Sequence, residues 1–157
     1  MVQNIEYRVF ERNELSDDLI FDFLVENDDA LYPSLSDRVD LKAYSIKLSG
    51  RAIHFVALKE NKIIALLSLY FNLSPEDSYI PFFCVSHVYQ GLAIGKKIMQ
   101  MSIDYCLKRG SSGISLTVRR DNFSAVRFYE RNDFRLVDED YYAGTEVRLL
   151  VMKKKLS

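Results

Sequence analysis

The chain has 157 residues, a length that predicts one domain over residues 1–157. Hydrophobic residues make up 48% and aromatic residues 13% of the sequence, which is enough for a buried core and argues against disorder. The net charge of −1 argues against broad nucleic-acid or membrane-surface binding. The polar N-terminus, and the lack of any run of about 18 apolar residues, predict a soluble protein of the cytoplasm.

The first part of the chain predicts a strand followed by two helices. Residues 5–10 alternate as a strand does. Ser16, with two acids directly after it, is typical of a helix N-cap. Asp40 is placed to cap a second helix, and Gly50 is placed to end it.

The middle of the chain predicts three strands. Residues 53–58 and 63–71 are apolar and rich in β-branched side chains, and Asn61 between them tolerates the left-handed conformation of a hairpin turn. Residues 80–85 form the third strand. Pro81 near its start suggests an edge position or a locally unpaired one.

The second half of the chain alternates helices and strands. The predicted elements are a helix over 96–109, a strand over 114–118, a helix over 122–132, and strands over 134–137 and 147–152 with an acidic, tyrosine-rich connection between them. The complete order is strand, two helices, three strands, helix, strand, helix, two strands. This order predicts an α/β fold with a mixed sheet.

The two cysteines, Cys84 and Cys106, form no disulfide framework, and they are interpreted as buried free thiols in a reducing compartment. A catalytic cysteine is the alternative, since His87 lies three residues after Cys84. No sequence pattern indicates a metal site.

Residues 88–99 carry two glycines, Gly91 and Gly95, between an apolar strand and a helix. A glycine turn that opens a helix leaves backbone N–H groups unpaired at the positive end of the helix dipole, which suits phosphate. Three explanations compete: a nucleotide-binding loop, a dinucleotide-binding turn, and a turn whose glycines serve backbone geometry alone. The glycine spacing disfavours the first two, because Gly91 and Gly95 are one residue too close for the nucleotide loop and the dinucleotide pattern is absent.

Two segments resemble the signatures of the GNAT superfamily, the acyl-CoA-dependent N-acyltransferases. Gln90-Gly-Leu-Ala-Ile-Gly95 resembles [Arg/Gln]-x-x-Gly-x-[Gly/Ala], and Asn122-Phe-Ser-Ala-Val-Arg-Phe-Tyr-Glu-Arg-Asn-Asp-Phe134 resembles Asn-x-x-Ala-x-x-Phe-Tyr-Glu-x-x-Gly-Phe. The element order is similar to that of the family throughout. The resemblance implies the GNAT fold, a mixed and mostly antiparallel sheet of about seven strands flanked by about four helices.

The sequence departs from the family pattern at three positions. Ala93 replaces the central glycine of the first signature, and Asp133 replaces the glycine before Phe134 in the second. His87 stands where many members have proline. We expect Ala93 to leave cofactor binding intact, because it adds one methyl group, and Asp133 to affect a turn rather than the chemistry.

The resemblance implies that acetyl-CoA is the co-substrate. The residues that would contact it through pantetheine pairing, pyrophosphate binding or a side-chain amide are Phe83, Cys84, Val85, Gln90, Gly91, Leu92, Ala93, Ile94, Gly95, Lys96 and Asn122. The cations that could reach its other phosphates are Lys96, Lys97, Arg120, Arg127 and Arg131, although solvated helix surface is the favoured explanation for each of them taken singly.

Tyr129 matches the family tyrosine that protonates the leaving thiolate. The general base is left unassigned: His54 is expected to be a core histidine, His87 a structural substitute at the turn, and the nearest acids are Glu76 and Asp77.

The expected function is acetyl transfer to the primary amine of a small acceptor such as an amino sugar or amino acid. The alternatives are a peptide or protein N-acetyltransferase and a non-catalytic module that binds CoA or a metabolite. In this fold the acceptor would meet Tyr32, Tyr44 and Tyr141 first, with Ser34, Asp37, Arg38, Tyr142 and Glu146 nearby. Many members of the family dimerise, so the resemblance allows a homodimer, but no sequence feature demands it and the oligomeric state is left open.

Overall fold

The computed structural model describes residues 4–30, 34–91 and 93–156, with the side chain of Ala30 left out. Its strands and helices follow the predicted order. They are β1 (Glu6–Phe10), α1 (Asp17–Asn27), α2 (Leu41–Arg51), β2 (Ile53–Lys59), β3 (Lys62–Tyr70), β4 (Ser78–Val85), α3 (Ile94–Arg109), β5 (Gly113–Arg119), α4 (Phe123–Arg131), β6 (Arg135–Tyr141) and β7 (Arg148–Lys155). The strands form one seven-stranded sheet in the order β1-β2-β3-β4-β5-β7-β6. The α/β fold with a mixed sheet is therefore confirmed.

The chain divides into two compact units. One contains the residues up to Tyr70 together with Phe82–Asp104, and the other contains Phe71–Pro81 together with the residues from Tyr105 onward. We call them the first and second units.

The first unit buries α1 and α2 on its antiparallel strands. Both predicted caps are present: the Ser16 hydroxyl accepts from the Asp18 amide at 3.2 Å, and the Asp40 carboxylate accepts from the Ala43 amide at 3.0 Å. These bonds satisfy amides that the first turn of a helix leaves unpaired. The core beneath the helices includes Ile20, Phe23, Leu24, Leu48, Val56 and Leu66.

The hairpin between β2 and β3 turns more tightly than the sequence indicates. Both Glu60 (φ 54°) and Asn61 (φ 62°) are left-handed, which is the geometry of a type I′ turn. That turn matches the right-handed twist of the strands it joins, and β2 and β3 pair antiparallel along their length.

The second unit is built on β5, which lies between β4 and β7. The parallel pairing with β4 joins Ser78 to Ile114 and Tyr79 to Ser115, and β7 pairs antiparallel along the whole of β5. Gly113 at the start of β5 has no room for a side chain, since an added Cβ would lie 2.6 Å from Asp77 Oδ1. β6 pairs antiparallel with β7 and forms the outer edge of the sheet.

Three local predictions need correction. Gly50 does not end α2, because the helix continues to Arg51 and the Ala52 amide still donates to the Leu48 carbonyl at 3.0 Å. The edge position suggested by Pro81 is wrong, since β4 lies between β3 and β5, and the alternative of a locally unpaired position stays a prediction. The acidic segment expected to be a connection is part of β6, which extends to Tyr141 through its pairing with β7.

No described helix is both long and apolar enough to cross a membrane.

Candidate active site

The turn after β4 lies in the first unit and is held by hydrogen bonds within the turn and to the adjacent strands. The Ser86 amide donates to the Ile64 carbonyl at 2.9 Å, and the Gln90 amide donates to the His87 carbonyl at 3.2 Å. The Gln90 side chain donates from Nε2 to the Val85 carbonyl at 3.1 Å. Gln90 therefore supports the turn with both its amide and its side chain.

The amides that can be free to bind an anion come after Gln90, at the start of α3. Gly91 (φ 80°) and Ala93 (φ 64°) are both left-handed, and α3 begins directly afterwards at Ile94. An α-helix leaves the amides of its first turn, here including Ile94 and Gly95, without partners inside the helix. The first turn of α3 carries no acidic residue, so its N-terminus keeps its affinity for an anion. Leu92, also predicted to contact the cofactor, lies outside the described residues.

Ala93 occupies a backbone position that favours glycine. Its φ of 64° falls in the left-handed region, which costs a residue with a Cβ about 1 kcal/mol. Ala93, in place of the glycine of the family signature, therefore adds backbone strain as well as one methyl group.

β4 leads into this turn with alternating burial. Phe82 and Cys84 are buried in the core of the first unit, while Phe83 and Val85 are half-buried on the other face. Burial raises the pKa of the Cys84 thiol to about 11, so the thiol is protonated at neutral pH. Cys84 and Cys106 are both free and buried, and burial likewise raises the pKa of Cys106. A nucleophilic cysteine is therefore disfavoured, and Cys84 could contribute to a site through its backbone only.

The two histidines differ in their exposure to solvent. His54 is fully buried on β2, where its Nδ1 lies 3.0 Å from the Ser68 hydroxyl, and burial lowers its pKa to about 4. His87 is exposed in the turn before α3. His54 is therefore a core histidine, as expected, and it has no access to a substrate.

The cations at the start of α3 also differ. Lys96 is exposed, whereas the Lys97 ammonium lies 4.4 Å from the centre of the Tyr7 ring. This cation–π contact holds Lys97 against β1. Lys96 is therefore the better placed of the two to meet an anion at the helix start.

Asn122 lies in the second unit and caps α4. Its Oδ1 accepts from the Ala125 amide at 3.3 Å. The residue before it, Asp121, is clamped by Arg119 through two bonds of 3.0 and 2.6 Å. The cap uses the side-chain oxygen of Asn122, so the amide nitrogen is the group this residue would offer to a cofactor.

Tyr129 is held at the end of α4 by a Schellman motif. The Phe134 amide donates to the Tyr129 carbonyl at 3.0 Å, the Asp133 amide donates to the Glu130 carbonyl at 3.0 Å, and Asp133 is left-handed with φ 68°. The Phe134 side chain is buried with its ring 5.7 Å from that of Tyr129. This contact is the apolar one that accompanies the motif. Asp133 thus occupies a turn position, as expected, and the turn fixes Tyr129.

A cleft of about 670 Å³ opens in the second unit between the end of β5 and the start of β7. Its lining residues are Arg119, Arg120, Asp121, Phe123, Glu146, Val147 and Arg148. Arg120 and Glu146 are among the residues named from the sequence, whereas Arg119, Phe123, Val147 and Arg148 are not. In the sequence, the two adjacent cations Arg119 and Arg120 shortly before Asn122 were the signal that could have indicated this cleft. The approach of Arg148 has no such signal, because it depends on the pairing of β5 with β7.

Two of the three predicted acceptor tyrosines lie within the described residues. Tyr32 lies outside the described residues. Tyr44 packs against the core of the first unit. Tyr141 is exposed on β6 in the second unit, with the Arg148 guanidinium 5.8 Å from its ring centre. Among the described residues, no group of three or more His, Cys, Asp or Glu side chains could hold a metal ion.

Solved structures with the same fold include acetyltransferases. The ribosomal-protein-S18-alanine N-acetyltransferase from Escherichia coli is 18% identical with a TM-score of 0.76, over 98% of this chain and 94% of that one. Naa50 from Arabidopsis thaliana, solved with the bisubstrate analogue CoA-Ac-MVNAL, is 20% identical with a TM-score of 0.74, over 98% and 99% of the two chains. A putative streptothricin acetyltransferase from Bacillus anthracis in complex with acetyl coenzyme A is 22% identical with a TM-score of 0.61, over 68% and 63%.

These structural similarities show the fold alone, whereas a match in sequence shows the family. No curated protein sequence matches this chain significantly. A sequence model of the acetyltransferase (GNAT) family, however, matches residues 12–134, well over half of the chain. The chain therefore belongs to the GNAT family of acetyltransferases.

Proposed function

We propose that this protein transfers an acetyl group from acetyl-CoA to the primary amine of a small-molecule acceptor, by direct attack in a ternary complex. The observation that carries the proposal is the turn from Gly91 to Gly95. It combines two left-handed residues, a helix start and a first turn without acids. We further propose that residues 1–157 act as one domain and that the protein works in the cytoplasm, where its two free thiols remain reduced.

The residues of the turn fit the pyrophosphate of CoA. Outward amides at a helix N-terminus bind phosphate oxygens, and the left-handed residues before the helix add a concave backbone to this arrangement. The backbone of Phe83, Cys84 and Val85 would pair with pantetheine, and the amides after Gln90 would bind the pyrophosphate. We propose separately that the side-chain amide of Asn122 contacts the cofactor.

Bound acetyl-CoA supplies a thioester whose carbonyl carbon a neutral amine attacks. The C–N bond forms as the C–S bond breaks, and the sulfur leaves with the electron pair. The Tyr129 phenol is proposed to give its proton to that sulfur, since a positioned acid lowers the cost of expelling a thiolate. The acylated nitrogen loses one proton to water, and the Tyr129 phenolate takes a proton back from water. The Schellman motif supports this role by fixing the backbone and the ring of Tyr129.

The proposal is tested by calorimetry with acetyl-CoA, followed by a thiol-release assay over a panel of primary amines. We expect binding, and release of CoA with at least one amine. Binding without release on any amine would favour the non-catalytic module instead. An absence of binding would defeat both functions.

A peptide or protein N-acetyltransferase is the second candidate. It is favoured by the likeness to Naa50, which was solved with an analogue that joins CoA to a peptide. Short peptides with free N-termini therefore belong in the same panel, and faster release with peptides than with small amines would select this candidate.

A further inference from the structure

Two arginines of the cleft in the second unit share one internal carboxylate. The Nη1 atoms of Arg120 and Arg148 lie 4.0 and 3.7 Å from the same oxygen, Oε1 of Glu139. Both distances exceed the length of a hydrogen bond. Glu139 therefore attracts the two guanidiniums without binding either of them tightly.

The two arginines are held side by side by the backbone. The Arg120 amide donates to the Arg148 carbonyl at 3.0 Å, which joins the end of β5 to the start of β7. Both side chains are about half exposed, at 57% and 48%. Ion pairs with that exposure contribute little to stability, so the fold does not require the two arginines to keep Glu139 as their partner.

The remaining charges of the cleft are of both signs. Arg119 is engaged by Asp121 through two bonds of 3.0 and 2.6 Å. Glu146 is an exposed carboxylate that also lines the cleft. The cleft thus offers a pair of guanidiniums and a separate carboxylate, beside the 67%-exposed ring of Phe123.

We propose that the acceptor carries a carboxylate close to its amine, and that Arg120 and Arg148 bind this carboxylate in place of Glu139. The inference rests on the proposed function and names its substrate class. Planar guanidiniums match the two oxygens of a carboxylate, and Glu146 complements the ammonium form in which such an acceptor arrives. Asp121 and Glu146 would repel a multiply charged phosphate more strongly than a single carboxylate. The carboxylate can come from a free amino acid or from an acidic side chain next to a peptide N-terminus.

The test uses matched acceptors with the full-length protein. Free L-amino acids are compared with their amides, and tetrapeptides with Asp at the second position are compared with those carrying Asn. We expect kcat/KM to be at least about tenfold higher for the acid of a pair, in line with the strength of charge-assisted hydrogen bonds. A preference for the acid among the free amino acids, or among the tetrapeptides, identifies which of the two supplies the carboxylate. Equal rates for acids and amides would overturn the inference and leave acetyl transfer intact.

Substitutions test whether the two arginines cause the preference for the carboxylated acceptor. Arg120→Gln and Arg148→Gln should each raise KM for the carboxylated acceptor by about tenfold, with KM for acetyl-CoA unchanged, because each removes one charged donor. Glu139→Gln should lower KM for the same acceptor, because it removes the internal competitor. Arg135→Gln is the matched control, since Arg135 is an exposed arginine at the far end of β6.

One other kinetic outcome contradicts the inference. If the arginine variants raise KM for acetyl-CoA but not for acetyl-dephospho-CoA, the pair binds the phosphate that this donor lacks. If no amine is acetylated, the proposed function fails, and calorimetric titration with the free amino acids and the Asp tetrapeptides decides the inference separately. Binding that Arg148→Gln abolishes would support the carboxylate site, and an absence of binding to the wild-type protein would overturn it.

Discussion

Tyr129 is the residue whose position the structure explains most fully. Its carbonyl accepts from the Phe134 amide, and its ring lies edge-on to both Phe128 and Phe134 at 5.6 and 5.7 Å. These backbone and ring contacts hold Tyr129, and a phenylalanine at this position would keep them. Removing the hydroxyl should change the chemistry and leave the fold intact.

Tyr129→Phe should lower kcat by about tenfold or more, because the leaving sulfur loses its proposed proton donor. Affinity for acetyl-CoA should change little, as measured by calorimetry. Tyr79→Phe is the matched control, since it removes the same hydroxyl from another tyrosine of the second unit, where that hydroxyl lies 3.3 Å from Thr117 Oγ1. Near-wild-type turnover of purified Tyr129→Phe would eliminate the assigned role.

Ala93 is strained where the family signature has glycine. Ala93→Gly should raise the free energy of unfolding by about 1 kcal/mol, because glycine adopts a left-handed φ without steric cost. The melting temperature should rise by about 2–4 °C in a chain of this size.

The control for Ala93→Gly is the same substitution at Ala43, an exposed residue inside α2. There glycine only adds freedom to the unfolded chain, so stability should fall by about 0.5–1 kcal/mol. If both substitutions lower the melting temperature, Ala93 is not left-handed in solution.

At the scale of elements, α4 links the two ends of the second signature. Asn122 caps its start, and the Schellman motif ends it with Asp133 at the left-handed position. Lys154 donates to the Asn132 carbonyl at 3.2 Å, which places a positive charge at the negative end of the helix dipole. The N-cap, the positive charge at the helix end and the Schellman motif together stabilise a helix of nine residues. A helix of this length would be only marginally stable in isolation.

Asp133→Gly should stabilise this helix end by about 1 kcal/mol, since glycine is the preferred residue at this position. Asp133→Val should destabilise it by more, because a β-branched residue is poorly tolerated at positive φ. Thermal unfolding of the two variants provides the measurement. The opposite order of melting temperatures would contradict the Schellman assignment.

At the scale of the whole molecule, His54 makes stability depend on pH. Burial lowers its pKa to about 4 in the folded protein, from 6.5 in the unfolded chain. Between these values the unfolded state binds more protons than the folded state, so stability falls as the pH falls from 6.5 toward 4. The full loss is roughly 3 kcal/mol by the linkage of pKa to free energy.

His54→Gln should flatten this pH dependence, because glutamine does not titrate. Urea unfolding between pH 4 and 7 measures it. An unaltered slope in His54→Gln would show that other groups cause the acid sensitivity.

By itself the sequence determined the order of strands and helices, the two helix caps, the family resemblance and the position of the turn between β4 and α3. These features depend on residues a few positions apart, such as Ser16 with Asp18 or Gly91 with Gly95, so local patterns predict them.

Only the tertiary structure decided where distant segments meet. The acidic end of β6 has low strand propensity, and it becomes a strand because β7 supplies its hydrogen bonds. The left-handed φ of Ala93 arises from closing the turn onto α3. The approach of Arg120 to Arg148, and of both to Glu139, requires the registers of β5, β7 and β6 together, and no spacing along the chain encodes these.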